Sequence, residues 1–253
     1  MPPFSIDIII LSYARSPELR ALTEQTIQSL LNSEDPQKIQ FHICVIESQK
    51  NIPAYNYPNT ETLWPTEKFG YHRYMNIGIR RTHSQYLALC NNDLLFFPGW
   101  ATAILEAMKL DPELMSAGTW CNLFHTRNKV SLSPTLQYGY TNGILVTGWC
   151  IFVKREIFNL IGPLDEKLKY WYCDDDYRRT LESKGIKHAL ITNSRVDHLT
   201  SQTAISLDKK SHRKMSIYPL LYYDFKWNHK SQIIYLLKKI WFWFKIQFNL
   251  FSE

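Results

Sequence analysis

The stretch YLALCNND, Tyr86 to Asp93, carries an apolar run straight into two amides and a carboxylate. A short apolar run of this kind predicts a strand that leads directly into a polar cluster. Two earlier stretches have the same form. SIDIIILSY, Ser5 to Tyr13, is a β-branched run ending in small polar residues, and FHICVI, Phe41 to Ile46, stops at Glu47-Ser48-Gln49. Between them, Ser16 is placed to cap a helix and Pro17 to begin it, with an apolar face of Leu19, Leu22, Ile27, Leu30 and Leu31 that ends before Asp35-Pro36. Gly70 opens a second helical stretch, Tyr71 to Thr82. This alternation over the first 110 residues predicts parallel βαβ units, in which ligands bind beyond the carboxyl ends of the strands. Three polar clusters fall there: Ser12-Tyr13-Ala14-Arg15, Glu47-Ser48 and Asn91-Asn92-Asp93.

Pro98-Gly99-Trp100 turns the chain into an Ala-rich helix, 101 to 110. Strands are expected near 115–120 and 144–153, and a short helix over 155–161 is stopped by Gly162-Pro163. YWYCDDD, Tyr170 to Asp176, then leads into a helix of about ten residues closed by Gly185, and a strand over 188–192 leads to Val196-Asp197-His198. Residues 50–68 read as a loop around a short buried strand near Leu63.

At 253 residues and 45% hydrophobic, the chain suits one large α/β domain with an appendage: residues 1–205, divided into 1–110 and 111–205, then an extension over 206–253. The formal charge of +6 favours anionic partners, but the basic residues form no stripe, which argues against nucleic acid. Cys44, Cys90, Cys121, Cys150 and Cys173 are widely spaced with no CxxC pair, and read as reduced core thiols. The N-terminal apolar run, Ile6 to Leu11, is too short and too acidic for a signal peptide or membrane span, so the expectation is a cytoplasmic chain, or one peripheral to the cytoplasmic face of a membrane. No GxGxxG or GxxxxGK[ST] loop is present, which sets aside dinucleotide and P-loop chemistry.

With these clusters in order, residues 5 to 200 resemble the GT-A fold glycosyltransferases of the family 2 type. Ile8 to Arg15 looks like the opening strand and nucleotide loop, Val45 to Ser48 like the strand whose terminal acid meets base or ribose, and Gly70 to Arg80 like the Gly-led helix with its Asn-x-Gly. Tyr86 to Asp93 resembles the DXD-bearing strand, Gly148 to Glu166 the approach to the acceptor side, Asp174-Asp-Asp-Tyr the acidic catalytic motif, and Val196-Asp-His a metal-binding histidine. Two departures stand out: the DXD is Asn91-Asn92-Asp93, and the usual Glu-Asp pair is Cys173-Asp174.

The resemblance implies a mixed, mostly parallel sheet flanked by helices, and inverting transfer from a nucleoside diphosphate sugar to a glycan or lipid-linked hydroxyl. Such transfer needs a cation for the departing diphosphate and a base for the acceptor, on opposite sides of the sugar. Mn²⁺ or Mg²⁺ suits the first role, with Asp93 the carboxylate of its cluster and His198 completing the shell. Asp174 is the implied base, Asp176 a holder of the acceptor hydroxyl or of the loop, and Asp175 the substitute base. Ser12, Tyr13, Arg15, Glu47, Arg73, Asn76, Asn91 and Asn92 are the other expected donor contacts; Trp149, Trp171 and Tyr172 offer faces for the acceptor sugar.

The segment from Ile233 to Phe251 mixes Ile, Leu, Trp and Phe with Lys238, Lys239 and Lys245. On a helical wheel the lysines and Asn249 share a broad sector, which fits a helix lying in a membrane interface, docked on the domain, or in an oligomer contact. Two rivals to a transferase remain: a non-catalytic sugar- or nucleotide-binding protein on the same fold, and a sugar nucleotidyltransferase, against which the missing Gly-rich loop counts.

Overall fold

The computed structural model describes residues 3–199, 209–228 and 231–248. Strands β1 (Phe4–Ser12), β2 (Ile39–Glu47), β3 (Glu61–Leu63) and β4 (Tyr86–Asn91) are mutually parallel, with β1 between β2 and β4. Helix α1 (Pro17–Leu31) is capped by Ser16, whose hydroxyl accepts from the Leu19 amide, and α2 is Tyr71–Arg81. Ile6, Ile8 and Ile10 pack in the cluster that holds Ile27 and Leu30 of α1, whereas Ile9 packs with Tyr74 and Met75 of α2. Both faces of β1 are therefore sealed, which is why its sequence is apolar without alternation.

The second half turns antiparallel. Strand β8 (Cys150–Lys154) runs between β4 and β6 (Ser116–Trp120), opposite in direction to both. Strand β9 (His188–His198) lies parallel to β6, then antiparallel to β5 (Leu94–Phe96), while β7 (Leu136–Tyr138) pairs its other edge. The sheet order is β3-β2-β1-β4-β8-β6-β9-β5. The remaining helices are α3 (Trp100–Leu110), α4 (Asn122–Arg127), α5 (Ile157–Ile161), α6 (Cys173–Ser183), α7 (Lys209–Trp227) and α8 (Gln232–Gln247).

The α/β class and mostly parallel sheet match the expectation, and two boundaries differ from it. The strand expected over 144–153 begins only at Cys150, because the amides of Ile144, Leu145 and Val146 all turn onto the Thr141 carbonyl. Strand β9 runs six residues past Thr192, through polar residues that periodicity could not mark, because it changes partner: a register shift at Thr119/Trp120 hands it from β6 towards β5. Elements β5, β7, α4 and α7 had no legible signal. The expected boundary at 205/206, and residues 249–251 of the C-terminal segment, lie outside the described residues. All five cysteines are free and buried, with Cys90 and Cys150 facing each other across β4 and β8 at 3.8 Å between sulfurs.

Close backbone approach makes one glycine indispensable. A Cβ on Gly118 of β6 would sit 2.6 Å from the Leu145 carbonyl oxygen, a backbone atom with nowhere to retreat. Gly118→Ala is expected to destabilise the protein by about 1–3 kcal/mol, as overpacked cores do. Gly70→Ala, whose added methyl finds its nearest neighbour at 3.5 Å, should cost less than about 1 kcal/mol. Thermal melting of the two variants checks the contrast.

Candidate functional site

The carboxyl ends of β1 and β4 and the far end of β9 meet at two adjoining cavities, of about 300 and 210 Å³. Tyr71, Asn91, Tyr170 and His198 line both, so the cavities share a wall and are two ends of one cleft. Ser12, Tyr13, Ser48, Asn92 and Asp93 line the first end; Gly148, Trp149, Trp171 and Asp174 line the second.

Backbone pairing sets the first end. Leu94 of β5 pairs with His198 of β9, and the Leu199 amide donates to the Asp93 carbonyl at 2.8 Å, so residues 104 and 106 positions apart in the chain become neighbours. His198 Nε2 lies 3.1 Å from Asp93 Oδ1, yet it is buried without a hydrogen bond among the described residues. Trp149 stacks on the imidazole, 5.4 Å between centroids and 19° between planes, and fixes its tilt. An imidazole nitrogen and a carboxylate oxygen this close can share one cation, and that pair of donors suits Mn²⁺. The residues present therefore fit a divalent ion. Among the described residues no third His, Cys, Asp or Glu joins them.

The acidic triplet occupies the first turn of α6, after Tyr172, which holds a left-handed φ of 66° and packs its ring 5.2 Å from that of Tyr223 of α7. Its three carboxylates have different surroundings. Asp175 pairs with Arg178 at 2.6 Å. Asp176 is nearly closed off: Lys226 of α7 lies 2.7 Å away and the Trp227 indole N–H donates to it at 2.7 Å. Lys226 also reaches Asp165 at 3.0 Å; burial lowers its ammonium, but hydrogen bonds and charge from Asp176 and then Asp165 outweigh that and leave it raised. Asp174 makes no ion pair among the described residues and faces the cleft. Burial pushes its carboxyl above the ordinary value, against the lowering effect of the Asp175 and Asp174 amides at the helix start. The room for it comes from Gly148, where a Cβ would stand 3.0 Å from the Asp174 Cβ.

Several expected donor contacts lie elsewhere. Glu47 is buried, and its carboxylate accepts from Ser12 Oγ (2.8 Å), Tyr55 (3.1 Å), Tyr57 (3.4 Å) and the amides of Ala14 (3.2 Å) and Gln49 (2.8 Å). Its work is to tie β1, β2 and the 50–57 loop together; it lines neither cavity. Arg73 pairs with Glu166 at 3.0 Å, and Asn76 brackets Leu164 through both backbone atoms, so these two anchor the segment after α5. Asn92 lines the cleft but gives its amide to Thr23 of α1. Arg15 is exposed beside Tyr13 and Tyr172 borders a shallow recess with Asp174. Tyr71, Tyr170 and the Lys226–Trp227 pair were not foreseen: Tyr170 stands in the YWY triplet with nothing to separate it from its neighbours, and Lys226 and Trp227 lie where no motif is legible.

The glycosyl transferase family 2 model matches residues 7–160. The chain belongs to this family. Among solved structures, the family 2 chain is similar to a mannosyltransferase from Pyrobaculum calidifontis bound to GDP-mannose and Mn²⁺, with a TM-score of 0.61 at 13% identity, covering 92% of this chain and 66% of that one. It thus spans about two thirds of that enzyme's length, and the likeness is one of fold, the GT-A fold. A Drosophila β-1,4-galactosyltransferase 7 variant with manganese, UDP-galactose and xylobiose aligns at a TM-score of 0.48 and 14% identity, covering 81% of this chain and 75% of that one. No curated protein matches the sequence.

The position of Glu47 separates an architectural part from a ligand-binding one. Glu47→Gln would leave hydroxyls and amides competing for a neutral, half-donating group, and is expected to lower unfolding stability by about 1–3 kcal/mol. Urea denaturation measures this; a variant of unchanged stability with weakened nucleotide binding would return Glu47 to a donor-contact role.

Proposed function

We propose that this family 2 chain transfers a sugar from a nucleoside diphosphate sugar to an acceptor hydroxyl on a glycan or lipid-linked acceptor, with inversion at the anomeric carbon. The observation that carries the reading is the cleft's division of labour: Asp93 at one end, with His198 beside it on the shared wall, and the carboxylate of Asp174, without an ion pair among the described residues, at the other. A base and a diphosphate site on opposite sides of the sugar are the geometry of a single in-line displacement.

The nucleotide enters between Tyr13, Ser48 and the Asn91–Asp93 turn, and the acceptor enters on the side of Gly148, Trp171 and Asp174. Tyr71 and Tyr170 form the shared wall where the donor sugar meets the acceptor, and their rings exclude water from the reacting carbon. Asp174 takes the proton from the attacking hydroxyl. Desolvation makes that carboxylate more basic than one in water, and Asp175 and Asp176, each held by a cation, do not compete with it. A divalent ion held by Asp93 and His198 would offset charge on the departing diphosphate. Its ligand set is a departure from the common DXD: one carboxylate and one imidazole, with Asn91 at hand as a neutral oxygen.

Asp174→Asn is expected to lower kcat by about 10²–10⁴-fold while leaving nucleotide binding intact. Incubation with UDP-, dTDP- and GDP-sugars, Mn²⁺ and candidate acceptors provides the readout; full activity in this variant removes Asp174 as the base, and binding with no turnover on any acceptor returns the chain to a binding module. Asp93→Ala and His198→Ala should weaken nucleotide binding in Mn²⁺ and have little effect in EDTA.

The raised carboxyl also sets two pH effects. Transfer requires the ionised base, so kcat/KM should rise with pH through an inflection above the ordinary carboxylate value of 3.8. Stability runs the other way: a folded-state value above the unfolded one favours the neutral acid in the fold, so this group's contribution is present below the unfolded value and lost as pH rises through the folded one. Asp174→Asn should therefore melt at the same temperature as the parent, or higher, at neutral pH despite its loss of kcat.

A further inference from the structure

Helix α8 meets the rest of the molecule along a narrow stripe. Tyr235 packs on Tyr222 and Phe225 of α7 at ring separations of 6.4 and 5.0 Å, and Ile246 is buried at 3% exposure. At roughly 100° per residue, the opposite half of the helix carries Ile233, Leu237, Ile240 and Phe244 at its centre. These four are 48–70% exposed. Trp241 and Trp243 stand at the two margins of that face, at 51% and 48% exposure. Beyond each Trp, on the side turned towards α7, come the lysines: Lys239 next to Trp243, and Lys238 and Lys245 next to Trp241, with the Lys245 ammonium 4.0 Å from the centroid of the Trp241 ring.

We infer that α8 lies in the interface of an anionic lipid bilayer, with the Ile233–Leu237–Ile240–Phe244 face immersed and the lysines on the headgroups. The layering decides the occupant. Aliphatic residues form the deepest layer, indoles sit at the level where amphipathic rings prefer the boundary, and ammonium groups stand one step above them on both flanks. A second copy of the chain fits poorly, because from Ser231 to Phe248 there is no Asp or Glu, and a two-fold pairing of this face would set lysine rims against lysine rims. Spanning is not an alternative, since no described helix is long and apolar enough to cross a membrane. The inference stands apart from the proposed reaction and uses none of its residues.

Flotation of the full chain with two vesicle preparations tests it: phosphatidylcholine alone, and an equal mixture of phosphatidylcholine and phosphatidylglycerol. The chain is expected to float with the anionic vesicles, less so as salt is raised, and weakly with the neutral ones. Replacing Lys238, Lys239 and Lys245 by Gln should cut partitioning about fivefold for each charge removed. The Ile240→Asp, Phe244→Asp variant should lose on the order of a hundredfold or more, with circular dichroism and melting temperature unchanged because both residues point away from the domain. No flotation, equal flotation with both lipids, or a stable dimer in light scattering that the double variant dissociates would overturn the inference.

Discussion

One strand holds the site together. Strand β9 leaves the core beside β6, shifts register at Thr119/Trp120, and ends beside β5, so that His198 arrives next to Asp93 from the other half of the chain. The pairing at Asp93 depends on this crossing, because β4 alone brings Asp93 and its amides but no imidazole. Trp149, just before β8, then stacks on the imidazole ring and holds its tilt. The pairing is a backbone matter first and a side-chain matter second, which makes it insensitive to the polar sequence through which β9 runs.

Burial of charge follows a consistent rule around this crossing. Asp7 is closed in by Arg155 at 2.6 Å with Ser84 donating to it, Glu47 by three hydroxyls and two amides, Asp175 by Arg178, and Asp176 by Lys226 and Trp227. An acid removed from water survives only when its lone pairs are answered. Asp174 is left without a counter-ion among the described residues, and burial raises its carboxyl. Its neighbours look alike in sequence, and only their three-dimensional partners tell them apart.

This explains what was legible beforehand. The parallel half could be read because apolar runs, a Ser-Pro helix start and strand-end polar clusters are local signals, and the sealed faces of β1 follow from Ile6, Ile8, Ile9 and Ile10 alone. The neighbourhood of Asp93, His198 and Asp174 came from ordered motifs rather than from spacing. Glu47 was expected at the ligand because it ends a strand, but strand-end position does not reveal which way a side chain turns, and Tyr55 and Tyr57 draw it inward. The role of α7 was invisible for a different reason: a lysine is recognisable as the counter-ion of Asp176 only once some fifty residues of chain have folded back, and no periodicity encodes that return.

The left-handed Tyr172 has a consequence for how this protein can change. A side chain at that φ costs on the order of 1 kcal/mol that Gly or Asn would not, so drift or design aimed only at robustness will be drawn to this position. Yet the tyrosine ring, clasped against Tyr223, ties the start of α6 to α7 two residues before Asp174. A more comfortable backbone there would gain durability at the expense of the tie between α6 and α7 that holds Asp174 in place.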